Sequence, residues 1–163
     1  GRLAPQAGAQ RAFYRPHSGF PAWQPSDDPR EVLDESLSWA ARNDRVETLD
    51  VLVARGASVE ADVYRGTALA WAAACGRTAS IRRLVALGAD ASGRTRFGGA
   101  GHGENATPLH LAAQNGDLDA IRALLDLGAD PALKDGLFDN TPAGWAEHGG
   151  QNAALDLLHE RAG

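Results

Sequence analysis

Small and apolar residues recur along the chain in a fixed frame. Aligned on their first positions, "ESLSWAARND" (35–44), "TALAWAAACG" (67–76), "TPLHLAAQNG" (107–116) and "TPAGWAEHGG" (141–150) carry small or apolar side chains at the same offsets. The pairs Ala40/Ala41, Ala72/Ala73 and Ala112/Ala113 coincide, while the fourth copy keeps Ala146 and has Glu147 second. In three copies a second apolar run follows and closes on Gly-Ala: "VETLDVLVARGA", "TASIRRLVALGA" and "LDAIRALLDLGA". From first position to closing glycine the distance is 21 residues each time, Glu35 to Gly56, Thr67 to Gly88 and Thr107 to Gly128.

This frame predicts two short antiparallel helices per unit. Alanines let the first helices approach one another closely. The second helix carries Leu, Ile and Val at helical spacing, as Ile81, Leu84 and Val85 or Ile121, Leu124 and Leu125. Thr67, Thr107 and Thr141 stand where an N-cap belongs, and Pro108 and Pro142 follow at the first helical position. Gly56, Gly88 and Gly128 fall just past a helix end, where a left-handed cap favours glycine. "SDDPREVLDESL" marks the start of the first helix, with Ser26 or Asp28 as cap and Pro29 next. One such unit cannot bury its apolar face alone, but a stack can.

The third unit, "TPLHLAAQNGDLDAIRALLDLGAD", resembles a near-consensus ankyrin repeat, and the resemblance extends over residues 35–163. It implies an all-α solenoid of helix–turn–helix repeats joined by hairpin loops, one of them enlarged. The expected repeats are 31–62, 63–102, 103–136 and 137–163, after an N-terminal extension of residues 1–30. "TPLH" is intact only at 107–110; Ala143 and Gly144 replace its leucine and histidine in the last unit. For His110 the resemblance implies a structural hydrogen bond between adjacent repeats. Glu35 in place of threonine suits an N-terminal capping unit, and Gln151, Asn152, Asp156, His159 and Glu160 suit a C-terminal one.

The extension differs in character. It holds Pro5, Pro16, Pro21, Pro25 and Pro29 beside Phe13, Tyr14, Phe20 and Trp23. Four aromatics in so short a span argue against a free tail, so Phe20 and Trp23 are expected to pack on the first repeat and cap it. "AQRAFYRPHSGFPAW" resembles leaders ahead of ankyrin repeats in bacterial proteins, and the glycine- and alanine-rich usage points to a bacterial gene.

Trp39, Trp71 and Trp145 share one offset, with Leu111 in the remaining unit. Core packing between neighbouring repeats is the expectation there, because aromatic rings bury large areas; an aromatic binding ladder is the alternative. The loops are less uniform. Gly56 to Thr67 is 11 residues and Gly128 to Thr141 is 13, but Gly88 to Thr107 is 19. "RTRFGGAGHGENA" (94–106) is therefore an insertion in a hairpin. It misses the last glycine of G-x-G-x-x-G, lacks GK[ST], and follows no buried parallel strand, which argues against a phosphate loop. Two readings remain: a solvated loop, or a finger in which glycines permit tight folding while Arg94, Arg96, Phe97 and His102 make contacts.

Composition narrows the functional classes. A length of 163 residues suits one domain with a real core, and a formal net charge of −5 argues against nucleic acid as a partner. The lone Cys75 excludes an internal disulfide and fits a reducing, cytoplasmic setting. No apolar stretch is long enough to span a membrane. The absence of methionine reads as a processed chain or a fragment. His17, His102, His110, His148 and His159 show no metal-binding spacing, and there is no G-x-S-x-G elbow, so no cofactor, metal or catalytic residue is expected.

The ankyrin resemblance implies a monomer that binds another protein through its concave face, at loop tips and first-helix ends. Carried over by position, these are Arg42, Asn43, Tyr64, Arg65, Arg94, Arg96, Phe97, His102, Glu104, Gln114, Asn115, Lys134, Leu137, Phe138 and His148. Arg42, Arg65, Arg94, Arg96 and Lys134 would make that face basic and its partner surface acidic. An enzyme or small-molecule binder would instead need a closed pocket between finger and concave wall, lined by His102, His148 and carboxylates. A regulatory domain of a larger protein is a third class.

Overall fold

A computed structural model describes residues 28–62, 66–97 and 103–162. The extension expected to cap the first repeat lies almost wholly outside them, as do Tyr64, Arg65 and His102. Among the described residues the order is α1 (Pro29–Arg42), α2 (Val46–Ala54), α3 (Ala68–Ala74), α4 (Thr78–Ala86), β1 (Thr95–Arg96), β2 (Glu104–Ala106), α5 (Pro108–Asn115), α6 (Leu118–Asp126), α7 (Pro142–His148) and α8 (Asn152–Ala162). Each unit is the expected helical hairpin. First helices α1, α3, α5 and α7 form one row and second helices α2, α4, α6 and α8 the other. The first helices pack on one another more closely than the second helices do.

The close approach follows from the alanine pairs. Ala41, Ala72, Ala73, Ala112, Ala113 and Ala146 are completely buried, and Ala40 nearly so. Leu37, Leu69 and Leu109 fill the layer behind them, and Leu49, Ile81, Leu84, Ile121, Leu124 and Leu158 cover it from the second helices. Truncating such a leucine to alanine costs about 2–5 kcal/mol.

Helix ends obey the expected chemistry. Asp28 caps α1 through the Arg30 N–H, with Pro29 at the first position. Thr67 and Thr141 cap α3 and α7, while Thr107 forms a capping box with His110. Gly56, Gly88 and Gly128 have φ of 99°, 105° and 92°. At the first of them Ala57 N–H bonds to Leu52 O and Gly56 N–H to Val53 O, a Schellman closure. One cap crosses between repeats. Helix α4 has no side-chain cap from Arg77, but Asp44 of the preceding unit accepts from Ser80 N–H and Oγ at 2.9 and 2.7 Å. In the third unit Asp117 caps α6 locally.

The enlarged loop begins as a short antiparallel ladder. Thr95 pairs with Ala106 and Arg96 with Glu104, leaving Asn105 bulged at φ 56°. The finger's neck passes so near Phe97 that a Cβ on Gly103 would collide with the Phe97 carbonyl oxygen.

The tryptophans do not share one environment. Trp145 and Leu111 are buried as expected, but Trp39 and Trp71 are only half-buried. Trp71 meets Phe97 edge-on with centroids 4.8 Å apart, and the Arg42 guanidinium lies 5.4 Å from Trp39 and 4.8 Å from Trp71. At this offset, rings of the first two repeats thus stack with a cation and the finger, in place of a closed core.

Candidate functional site

The hairpin loops form a braced row. Asp62, in the first loop, accepts from the Arg96 N–H at 3.0 Å and stands 3.9 Å from the Arg96 guanidinium. Arg94 donates through one nitrogen to the carbonyls of Asn105 (3.1 Å) and Lys134 (2.8 Å). Glu104 O accepts from Gly136 N–H at 2.9 Å. Three consecutive loops are thereby tied laterally, and the finger's base is held from both sides. Phe97 is half-buried against the core, over Trp71 and beside Gly66, where a Cβ would stand 2.7 Å from its ring.

The loop of residues 134–140, "KDGLFDN", is organised around one carboxylate. Asp135 is buried, 4% exposed. Its Oδ1 accepts from Leu137 N–H (2.8 Å) and Phe138 N–H (2.6 Å), and its Oδ2 from Asn140 N–H (3.1 Å) and the Trp145 indole (2.9 Å). Burial alone would raise the Asp135 pKa. The N–H of Phe138, the Trp145 indole and the N–H groups of Leu137 and Asn140 outweigh it and hold the carboxyl below its ordinary value. The tip turns outward, leaving Leu137 39% and Phe138 63% exposed.

The far end of this loop is anchored by His110. Its Nδ1 accepts from Thr107 N–H (3.1 Å) and contacts Thr107 Oγ1 (2.8 Å), so the proton sits on Nε2, which donates to Asn140 O at 3.0 Å. The His110 ring also meets Trp145 edge-on at 5.3 Å. Burial pushes its pKa below the ordinary value, against the Asn140 carbonyl and the Asp135 carboxylate, which pull it up. His110 is therefore the link between repeats that its motif implied.

Residues 104–136, from the inner strand of the finger to the start of this loop, match the family model described as "Ankyrin repeat". The fold is an ankyrin-repeat solenoid. An "Ankyrin repeat domain-containing protein", SAT10 of Stachybotrys chartarum, is 33% identical over 99 residues, which are 60% of this chain and 5% of that protein. ZDHHC13 of Danio rerio, which carries the name of a palmitoyltransferase, is 32% identical over 135 residues, 72% of this chain and 20% of that protein. The ankyrin chain thus spans a small fraction of the relatives it matches.

Several of the positions carried over from ankyrin proteins also brace the fold. Asn115 Nδ2 donates to Ala74 O at 2.8 Å, joining neighbouring first helices, and Asn43 Nδ2 closes its own helix on Trp39 O. Arg42 lies over Trp39 and Trp71, and its carbonyl accepts from Arg77. Lys134 pairs with Asp139 at 2.7 Å. Gln114 is half-buried, while Glu104 and His148 are exposed. The finger base and the 134–140 loop bring Arg94, Arg96, Phe97, Glu104, Lys134, Leu137 and Phe138 into one connected row. His148 lies apart, at the end of α7.

Sequence reasoning missed Asp135 and the indole of Trp145. Two signals were present: an aspartate opening a Gly- and Asn-containing turn, and a tryptophan destined for burial, whose N–H needs an acceptor. Among the described residues no helix is long and apolar enough to cross a membrane, and no three His, Cys, Asp or Glu side chains gather in a metal-binding cluster. Two open clefts, of about 670 and 480 Å³, lie between first-helix ends (Cys75, Asn115, Asp117, Arg122) and on the first repeat (Val32, Trp39, Arg45, Thr48). His148 lines neither.

Proposed function

We propose that this chain is a protein-interaction module whose contact surface is the finger base, the 134–140 loop and the adjoining first-helix ends. Ankyrin repeats generally mediate protein–protein interaction. One observation carries the assignment to this surface: Leu137 and Phe138 project into solvent from a loop whose main chain is pinned by three hydrogen bonds to Asp135, itself held by the Trp145 indole. A loop already ordered in the free protein loses little entropy on binding, and an exposed aromatic at its tip is the type of side chain that anchors interfaces. Arg94, Arg96 and Lys134 stand in this row, and Arg42 and Arg65 join them by sequence position as basic side chains of the same surface, so the partner presents an apolar recess with an acidic rim.

The test is affinity capture from source lysate with the wild-type chain and with the variant carrying alanine at those five basic positions, once circular dichroism shows the variant folded. A partner lost by the variant, and weakened as salt rises, supports the acidic rim. A partner captured equally by both would remove it. A second reading, a regulatory domain of a larger protein, is favoured by the small share of its relatives that the chain spans. It uses the same surface, facing inward to a neighbouring domain.

A further inference from the structure

In the second, third and fourth repeats, the face turned toward the preceding repeat is buried, except at the half-buried Trp71. Ala68, Ala72, Ser80 and Leu84 are 0–1% exposed. Leu111, Ala112, Ala120 and Leu124 are 0–2%, and Trp145, Ala146, Ala154 and Leu158 0–6%. The 21-residue frame assigns the matching positions of the first repeat to Ser36, Trp39, Ala40, Thr48 and Leu52. With Val32, these residues line a cleft of about 480 Å³ along α1 and α2. No described element precedes α1 to play the part that a repeat plays elsewhere in the stack.

We propose that the chain's own residues 13–23 fill this cleft and serve as a non-repeat N-terminal cap. Three observations favour that occupant. The first is connection: Asp28, the N-cap of α1, stands four residues ahead of Val32, which lines the cleft. Trp23 is five residues ahead of Asp28 and reaches about 17 Å from it when extended, enough to fold back along the helix as far as Trp39 in the cleft, about 16 Å from Asp28. The second is composition. Phe13, Tyr14, Phe20 and Trp23 supply the apolar surface, and Pro16, Pro21 and Pro25 stiffen the backbone, lowering the entropy lost on docking. The third is charge: residues 1–27 hold Arg2, Arg11 and Arg15 against one carboxylate, Asp27, whereas the first half of α1 carries Glu31, Asp34 and Glu35 against Arg30.

The direct test is NMR on the full chain with labelled Ala, Val, Leu and Thr methyls. Nuclear Overhauser contacts from the Trp23 or Phe20 ring to the methyls of Val32, Thr48 or Leu52 are expected. Hydrogen exchange supplies the second readout. In Phe20→Ala/Trp23→Ala, amides of α1 should exchange at least about tenfold faster while those of α7 and α8 keep their rates, because repeats contact only their neighbours. Absence of those ring-to-methyl contacts, with α1 exchange unchanged in the variant, would overturn the proposal. So would a dimer by light scattering in which the same methyls meet a second copy.

Discussion

Replacing Asp135 by alanine should damage this protein more than any other single change in its loops. The substitution removes the acceptor for three main-chain N–H groups and the Trp145 indole at once. Leu137, Phe138 and Asn140 are exposed, so their N–H groups can turn to water, and each bond then represents a net loss of about 0.5–1.5 kcal/mol. The indole cannot do so, since Trp145 is 6% exposed; stranding it costs about 1–3 kcal/mol. The four are not independent, because losing the turn frees all three main-chain donors together. A total of about 3 kcal/mol is expected. With a urea m-value of about 2 kcal/mol/M, the unfolding midpoint falls by about 1.5 M with m unchanged. A double-mutant cycle with Trp145→Phe isolates the indole bond, for which a coupling of about 1 kcal/mol or more is expected. The carboxyl is held below its ordinary value of 3.8. Its contribution is therefore complete above that value and is lost as pH falls through the lower native one, so the variant should show a flatter acid limb. A midpoint shift worth less than about 0.5 kcal/mol, or a cycle with no coupling, would refute the reasoning.

Three further outcomes follow from the same structure. His110 is held below its ordinary value of 6.5, so as pH falls from there the unfolded chain takes a proton that the native ring resists; stability should drop by at most about 1.4 kcal/mol per pH unit, and His110→Gln should remove that slope in urea titrations. Gly103→Ala forces a Cβ onto the Phe97 carbonyl, so exchange at residues 95–96 and 104–106 should accelerate while α7 and α8 are unaffected. Phe138→Ala should change stability by less than about 0.5 kcal/mol, because the side chain is 63% exposed, and thermal unfolding should show it.

Periodicity and caps made the solenoid legible because they are local. The left-handed glycines at 56, 88 and 128, the threonine caps and the prolines after them each report on a few neighbouring residues, and each stands in the structure as expected. What escaped was set by contacts distant in sequence. Asp44 caps a helix 36 residues away, and Arg94 reaches 40 residues to the Lys134 carbonyl. Nothing in either neighbourhood announces these partners. The shared tryptophan offset misled for a related reason. Burial at that position depends on what closes over it: Asp135 and His110 meet Trp145, whereas the half-exposed Phe97 and the Arg42 guanidinium meet Trp71. Of the candidate surface, the exposed apolar tip at Leu137 and Phe138 was anticipated as part of a loop. The carboxylate that fixes its shape was not.

The central claim is that the row of tied loops is the contact surface. It is tested most directly by calorimetric titration of the captured, purified partner into three chains: wild type, Phe138→Ala and Val51→Ala. Val51 is a comparable exposed apolar residue, 46% exposed, on the second-helix row away from the loops. The account predicts a weakening of about 30-fold or more for Phe138→Ala, as expected of an interface anchor worth about 2 kcal/mol, and an unchanged affinity for Val51→Ala. Equal affinity in all three chains, or loss confined to Val51→Ala, would contradict it.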